Sequence, residues 1–204
     1  GGVGAFGVHQ LRRRLEERGL TSTLSLRAAN GVREAPLNDC CGAEHVQKQR
    51  LPPKNLSRSD LGVPKLRGCS LDGDADRLVY WFHGPNTFEI VDGDKIAALL
   101  AVFISSELAA AQPLIGTPSL GVVQTAYANG AAAAFLRERR VEVAFAKTGV
   151  KYVHHAAEAF DVGVYFEANG HGTVIFKPAL VEHLQKVVAE NKDKIAGDEA
   201  AKAK

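Results

Sequence analysis

The sequence predicts an α/β protein built as two consecutive domains with mixed, mostly parallel sheets, divided near residue 114. Two observations carry that prediction. From residue 121 onward, short β-rich runs alternate with helical runs of about ten residues, the pattern of βαβ units. Upstream, a strand–loop–strand segment at 67–82 leads into a helix whose Ile96, Leu99, Leu100, Phe103, Ile104 and Leu108 fall on one stripe. With 204 residues, 46% of them apolar, the chain is long enough to bury a core.

Each element has its own signal. Val8, Leu11 and Leu15 recur at helical spacing, and Gly19 is a natural stop. Residues 21–26 alternate and are β-rich, which predicts a strand. Between 28 and 67 the pattern dissolves, because Pro36, Pro52, Pro53 and Pro64 break regular structure. This stretch reads as a long irregular connection with one short helix at 43–49. The Asp92-Gly93-Asp94 turn opens the striped helix and puts Asp94 at its positive end. Residues 113–118 read as a linker. Strands at 121–126, 141–146, 162–166 and 173–176 then alternate with helices at 129–139 and 150–160. Residues 191–204 lack a packing stripe and read as a frayed helix or tail.

Composition narrows the function classes. Basic and acidic residues nearly cancel, 25 against 23, so no charge footprint calls for nucleic acid or an anionic membrane. Arg12, Arg13 and Arg14 are followed by Glu16 and Glu17 and read as a solvated helix face. Three cysteines, two of them adjacent and none in a CxxC pair, argue against a disulfide framework and a zinc site. A reducing compartment, the cytoplasm, is the expectation. The longest apolar run, 96–104, is too short to span a bilayer, and no signal peptide is visible. Methionine is missing altogether, position 1 included, so the chain reads as an internal piece of something longer.

Residues 69–77, Cys-Ser-Leu-Asp-Gly-Asp-Ala-Asp-Arg, are the most specific segment. In extended backbone, carboxylates at i, i+2 and i+4 project to one side. Asp72, Asp74 and Asp76 held together repel one another and call for a hard cation such as Mg²⁺, Mn²⁺ or Ca²⁺. Gly73 and Ala75 keep the loop slim. An EF-hand fails, because Arg77 stands where its glycine belongs and His83 where its glutamate belongs. A plain acidic turn is the competing reading, which Arg77 weakens: a guanidinium beside a metal–carboxylate cluster suits gripping a phosphoryl group.

Two further loops carry chemistry. Lys147-Thr148-Gly149 sits where a strand ends and a helix begins, and helix-start N–H groups with one ammonium favour anions. Glu167-Ala168-Asn169-Gly170-His171-Gly172 links two strands and offers an acceptor, an amide and a proton carrier, a set suited to sugar hydroxyls.

Asp72-Gly73-Asp74-Ala75-Asp76-Arg77 resembles the metal loop of the α-D-phosphohexomutase superfamily. Residues 148–151, Thr-Gly-Val-Lys, and 166–172, Phe-Glu-Ala-Asn-Gly-His-Gly, are similar to its phosphoacetylglucosamine mutase branch, as are 122–130 and the opening Gly2-Val3-Gly4-Ala5. The resemblance implies two consecutive phosphohexomutase-type domains, 1–113 binding metal and 114–204 binding sugar. It implies that the three aspartates hold Mg²⁺ and that Arg77 shares the phosphate environment. It also implies that Glu167, Asn169, Gly170, His171, Thr148 and Gly149 meet a sugar phosphate, with Lys147 and His171 as acid/base groups. Relatives acting on other sugar phosphates usually carry serine where Asn169 stands. The family's Thr-Ala-Ser-His-Asn-Pro phosphoserine segment is absent from the sequence, as is its C-terminal phosphate-gripping domain. Completing domains of a parent chain are therefore expected partners. The alternatives are a mutase for another hexose phosphate and a non-catalytic sugar-phosphate or metal-binding module.

Other signals carry less. Residues 2–7 spell GxGxxG without a preceding strand or a suitably placed acidic residue. Adjacent His154 and His155 diverge on a helix, so one is expected packed and one exposed. Trp81 is expected in the core.

Overall fold

The computed structural model describes residues 5–22, 29–30, 36–56, 67–83 and 87–192. It divides into two compact units, Gly1–Ile96 with Phe166–Gly172, and Ala97–Tyr165 with Thr173–Lys204.

In the first unit, α1 (Ala5–Glu17) ends at Gly19, whose φ of 65° is a left-handed stop. Arg13 and Arg14 pair with Glu17 on its solvated face. The strand expected at 21–26 begins instead as a 3₁₀ turn, Leu20–Ser22, and residues 23–28 lie outside the described ones. Helix α2 (Ala43–Gln49) forms where the sequence places a short helix. Its Ala43 and Val46 are fully buried against Val79, Trp81 and Ile90, with Leu56 and Phe88 packed alongside. All of those partners but Leu56 stand on an antiparallel sheet of β1 (Gly68–Leu71), β2 (Leu78–His83) and β3 (Phe88–Val91), in that order. Strand β3 was not anticipated. Trp81 is buried as expected and donates its Nε1–H to Ser70 Oγ at 3.2 Å.

Helix α3 (Gly93–Ile115) starts in the first unit and continues in the second. It runs through Pro113, which the sequence reading assigned to a linker. A proline two residues from a helix end removes one hydrogen bond near the terminus, and Gly116 at φ 74° closes the helix by donating to Gln112 O. The apolar segment is therefore longer than the run at 96–104. By length and composition alone α3 could cross a bilayer, a test that core helices also pass.

In the second unit the strand order is β5-β4-β6-β7, from β4 (Leu120–Thr125), β5 (Glu142–Ala146), β6 (Val162–Phe166) and β7 (Gly172–Phe176). Strand β4 pairs in parallel with both β5 and β6, through crossovers containing α4 (Gly130–Glu138) and α5 (Val150–Ala157). Asn129 caps α4 by accepting from Ala131 N at 2.9 Å. All five residues of β6 and all but the first of β4 are buried, as a strand covered on both faces requires. Val123, Val153, Ala157, Phe160 and Tyr165 form the core between sheet and α5. His154 meets the Tyr165 hydroxyl at 3.2 Å, yet it and His155 are both exposed, so the sequence expectation of one packed histidine is not met. A last helix, α6 (Pro178–Glu190), had not been predicted.

Candidate metal centre

The acidic segment lies between β1 and β2, whose pairing holds its two ends together. It is a turn rather than the extended stretch that the alternation argument assumed. Ala75 N donates to Asp72 O, and Ala75 takes a left-handed φ of 64°. The three carboxylates still converge, because the turn curls them inward: one oxygen each of Asp72, Asp74 and Asp76 lies within 4.8 Å of the others. Asp72 is buried while Asp74 and Asp76 are exposed. Burial pushes the Asp72 carboxyl above its ordinary range, and the nearby charges of Asp76 and Asp74 push the same way. An all-oxygen trio that resists full ionisation alone fits a hard divalent cation such as Mg²⁺.

Arg77 stands between the turn and β2. Its backbone N–H donates to Asp72 Oδ1 at 3.1 Å. Its Nε lies 3.6 Å from Asp72 Oδ2 and 3.8 Å from Asp76 Oδ1. Its Nη1 reaches Glu44 Oε2 on α2 at 3.4 Å.

The connection from β6 to β7 belongs to this same unit. Arg77 and His171 form an antiparallel bridge, and Leu78 N donates to Gly170 O at 3.0 Å. Gly93 N donates to Ala168 O at 3.3 Å. Two glycines permit the close approach: a Cβ on Gly93 would stand 1.8 Å from Glu167 O, and one on Gly170, at φ 92°, would stand 2.1 Å from Leu78 O. The result is that His171 Nδ1 sits 3.0 Å from Asp76 Oδ2. Asn169 Oδ1 accepts from His171 N at 2.9 Å and shapes the turn.

So Asp72, Asp74, Asp76 and Arg77 are brought together with His171, from a loop some ninety positions away in sequence. Glu167, Asn169 and Gly170 sit on that loop. Lys147, Thr148 and Gly149 stand in the second unit, between β5 and α5. Lys147 and Thr148 are exposed, and the Lys147 ammonium lies 6.0 Å from the Tyr152 ring centroid. Gly149 is the N-cap residue of α5 at φ 118°, and its carbonyl accepts from Tyr152 N. Sequence reasoning missed Glu44 and Asn38. The Asn38 amide stands against Gly73, 3.1 Å from where a Cβ would be, and its Oδ1 stands likewise against Gly42. Only the position of Glu44 in the first turn of a short helix could have hinted at a role.

Fold and acidic turn define the class. The structure resembles the N-acetylglucosamine-phosphate mutase crystallised in its substrate complex, described as a member of the α-D-phosphohexomutase superfamily, with TM-score 0.79 and 38% identity. That match covers 90% of this chain and 35% of the other. The Aspergillus fumigatus N-acetylphosphoglucosamine mutase, solved with GlcNAc-6P and magnesium, matches at TM-score 0.77 and 38% identity, over 90% and 37% of the two chains. The human phosphoacetylglucosamine mutase is 40% identical over 192 residues, 93% of this chain and 34% of its own length. The family model for phosphoacetylglucosamine mutase AMG1, domain III, matches residues 92–203, and the chain belongs to the phosphoacetylglucosamine mutase family. It spans about a third of the length of the curated relatives it matches.

Proposed function

We propose that the chain forms the metal-binding and sugar-reading part of an enzyme that interconverts N-acetylglucosamine 6-phosphate and N-acetylglucosamine 1-phosphate. Transfer uses a phosphoserine supplied by a completing domain of the parent chain, passes through a bisphosphate, and feeds UDP-N-acetylglucosamine synthesis in the cytoplasm. One observation carries the reading: three aspartate oxygens within 4.8 Å of one another, with Arg77 and His171 held against them. Phosphoryl transfer depends on positioning and charge neutralisation more than on covalent chemistry by the protein.

Asp72, Asp74 and Asp76 hold Mg²⁺, which when bound neutralises charge on the phosphoryl oxygens. Arg77 grips the same group as a fixed donor fork. His171, oriented by Asp76, holds or moves a proton at its ring nitrogen. Glu167 accepts from sugar hydroxyls, and Gly170, pressed against the Leu78 backbone, shapes the loop that meets the substrate. Asn169 has its Oδ1 committed to the loop, so recognition falls to its Nδ2 donors. In the second unit, Lys147 is the other proton carrier, and the backbone of Thr148 and Gly149 binds the anion. The reading assigns residues 1–113 to the family's metal-binding domain and 114–204 to its sugar-binding domain, with the domain III model reaching back to residue 92.

The test is a full-length parent chain assayed on the 6-phosphates of N-acetylglucosamine, glucose and mannose. N-acetylglucosamine 6-phosphate is expected to be turned over fastest, and Asp74→Ala to lose several kcal/mol of transition-state stabilisation. A preference for the mannose substrate, or an Asp74→Ala enzyme of undiminished activity, overturns the proposal.

A further inference from the structure

Helix α2 lies in the stretch the sequence marks as irregular, yet it is packed into the core of the first unit. Ala43 and Val46 are wholly buried in the core with Val79, Trp81 and Ile90, so the helix cannot drift from the sheet that carries the acidic turn. A second contact ties the two together: Asn38, just before the helix, wedges its side chain between Gly42 and Gly73, and Leu37 rests on Gly73. Glu44, in the first turn, is thereby aimed at Arg77.

The partners of the Arg77 guanidinium are unequal. Asp72 and Asp76 stand at 3.6 and 3.8 Å from Nε, beyond hydrogen-bond range, and Nε is buried without a hydrogen bond. Glu44 Oε2 accepts from Nη1 at 3.4 Å. The other carboxylate oxygen of Glu44 takes Lys48, one helical turn on, which fixes the carboxylate plane. Arg77 is thus held at one end by a residue outside the acidic trio, and is drawn at the other by two members of the trio through charge alone.

We infer that Glu44 is a positioning residue for Arg77, a counter-anchor that keeps the guanidinium beside the acidic turn without letting it occupy the cation's place. A divalent ion taken up by the aspartates competes with Arg77 for Asp72 and Asp76. Without Glu44, Arg77 collapses onto those carboxylates and opposes metal uptake. With Glu44, it keeps a negative partner when the trio turns to the ion, and stays in place for the phosphoryl group. The inference rests on the metal-site reading above.

The experiment is Mn²⁺ titration of the chain by electron paramagnetic resonance, for the parent sequence, Glu44→Gln, Arg77→Ala and the double variant. It is paired with thermal melting and the Arg77 Nε–Hε NMR signal. Glu44→Gln is expected to weaken Mn²⁺ binding roughly tenfold, the cost of losing an outer-shell partner. Because Glu44 is half exposed and surface ion pairs add little stability, the melting temperature should stay within about 2 °C. In the Arg77→Ala background the same substitution should change affinity less than about twofold, since distinct effects through one intermediary do not add. A full tenfold loss in that background means that Glu44 acts on the ion directly, and overturns the inference. So does a Glu44→Gln variant with unchanged affinity. If the unsubstituted chain takes up no Mn²⁺, the metal reading fails and the anchor is judged by NMR alone. Loss of the Arg77 signal in Glu44→Gln then upholds it, and an unchanged signal overturns it.

Discussion

Gly93→Ala should damage the candidate metal centre without touching a carboxylate. The added methyl would meet Glu167 O at 1.8 Å, Glu167 C at 2.8 Å and Gly170 N at 3.2 Å, where real Cβ contacts essentially never fall below 3.0 Å. These obstacles are backbone atoms, so no rotamer change relieves them, and the loop at 167–171 must lift by more than 1 Å. Two hydrogen bonds span that gap: Gly93 N to Ala168 O at 3.3 Å and Leu78 N to Gly170 O at 3.0 Å. Losing both costs about 1 kcal/mol each, and the overpacking adds about 1–3 kcal/mol. The total is roughly 3–5 kcal/mol, or a melting temperature lower by about 10 °C for a chain of this size. If the loop detaches locally, the thermal shift is smaller, but His171 must leave Asp76. Differential scanning fluorimetry reads the first effect, and the His171 imidazole NMR shifts read the second. Gly130→Ala is the control, because nothing lies within 4 Å of its Cβ position at the start of α4. It should gain about 0.4–1 kcal/mol. A Gly93→Ala variant that melts within 2 °C of the parent, with His171 undisturbed, refutes the reasoning.

Asp74→Ala should leave the metal-free melting temperature unchanged or higher, because one of three mutually repelling charges goes. It should also abolish the stabilisation that Mg²⁺ confers on the parent, about 2.7 kcal/mol at a hundredfold excess over Kd. Thermal melts with and without Mg²⁺ check both halves. Ala75→Gly relieves a non-glycine residue held at φ 64° and should stabilise the chain or leave it level, against the usual loss of up to about 1 kcal/mol when glycine replaces alanine. Urea denaturation measures this. Asp161 accepts from Ser119 N and Oγ, both at 2.8 Å, and pairs with Lys177 at 3.3 Å; chiefly the Ser119 hydrogen bonds hold its carboxyl below the usual range. A depressed folded-state pKa means stability present above the unfolded value and lost as pH falls through the folded one, hence below about pH 4. Asp161→Asn should flatten that part of the melting-temperature profile, and an unaltered acid limb would count against it.

The acidic turn was legible because its chemistry is local, six consecutive residues from Asp72 to Arg77. The strand–helix alternation after residue 120 was legible for the same reason, each element carrying its own period. Strand β3 went unread, although at four residues Phe88–Val91 is as long as β1, which was read. Helix α6 did have a signal, Pro178 at its first position and apolar residues at 180, 181, 184, 187 and 188, which was passed over in favour of the tail behind it. The span of α3 was misjudged at Pro113, where a breaker was given more weight than a glycine stop three residues later. The pairing of Glu44 with Arg77 crosses 33 positions, and no local period records it. The approach of His171 to Asp76 was likewise invisible, since it depends on what two glycines leave empty.

The chain contains a single tryptophan, and its indole lies over Gly68, where a methyl would come within 1.9 Å of the ring. Its N–H is tied to Ser70, two residues before the first aspartate of the acidic turn. One indole thus stands at the root of the proposed metal centre, with no second tryptophan to blur its emission. Uptake of a cation by the three aspartates, as proposed, should change the colour and intensity of that tryptophan emission, without attaching a label.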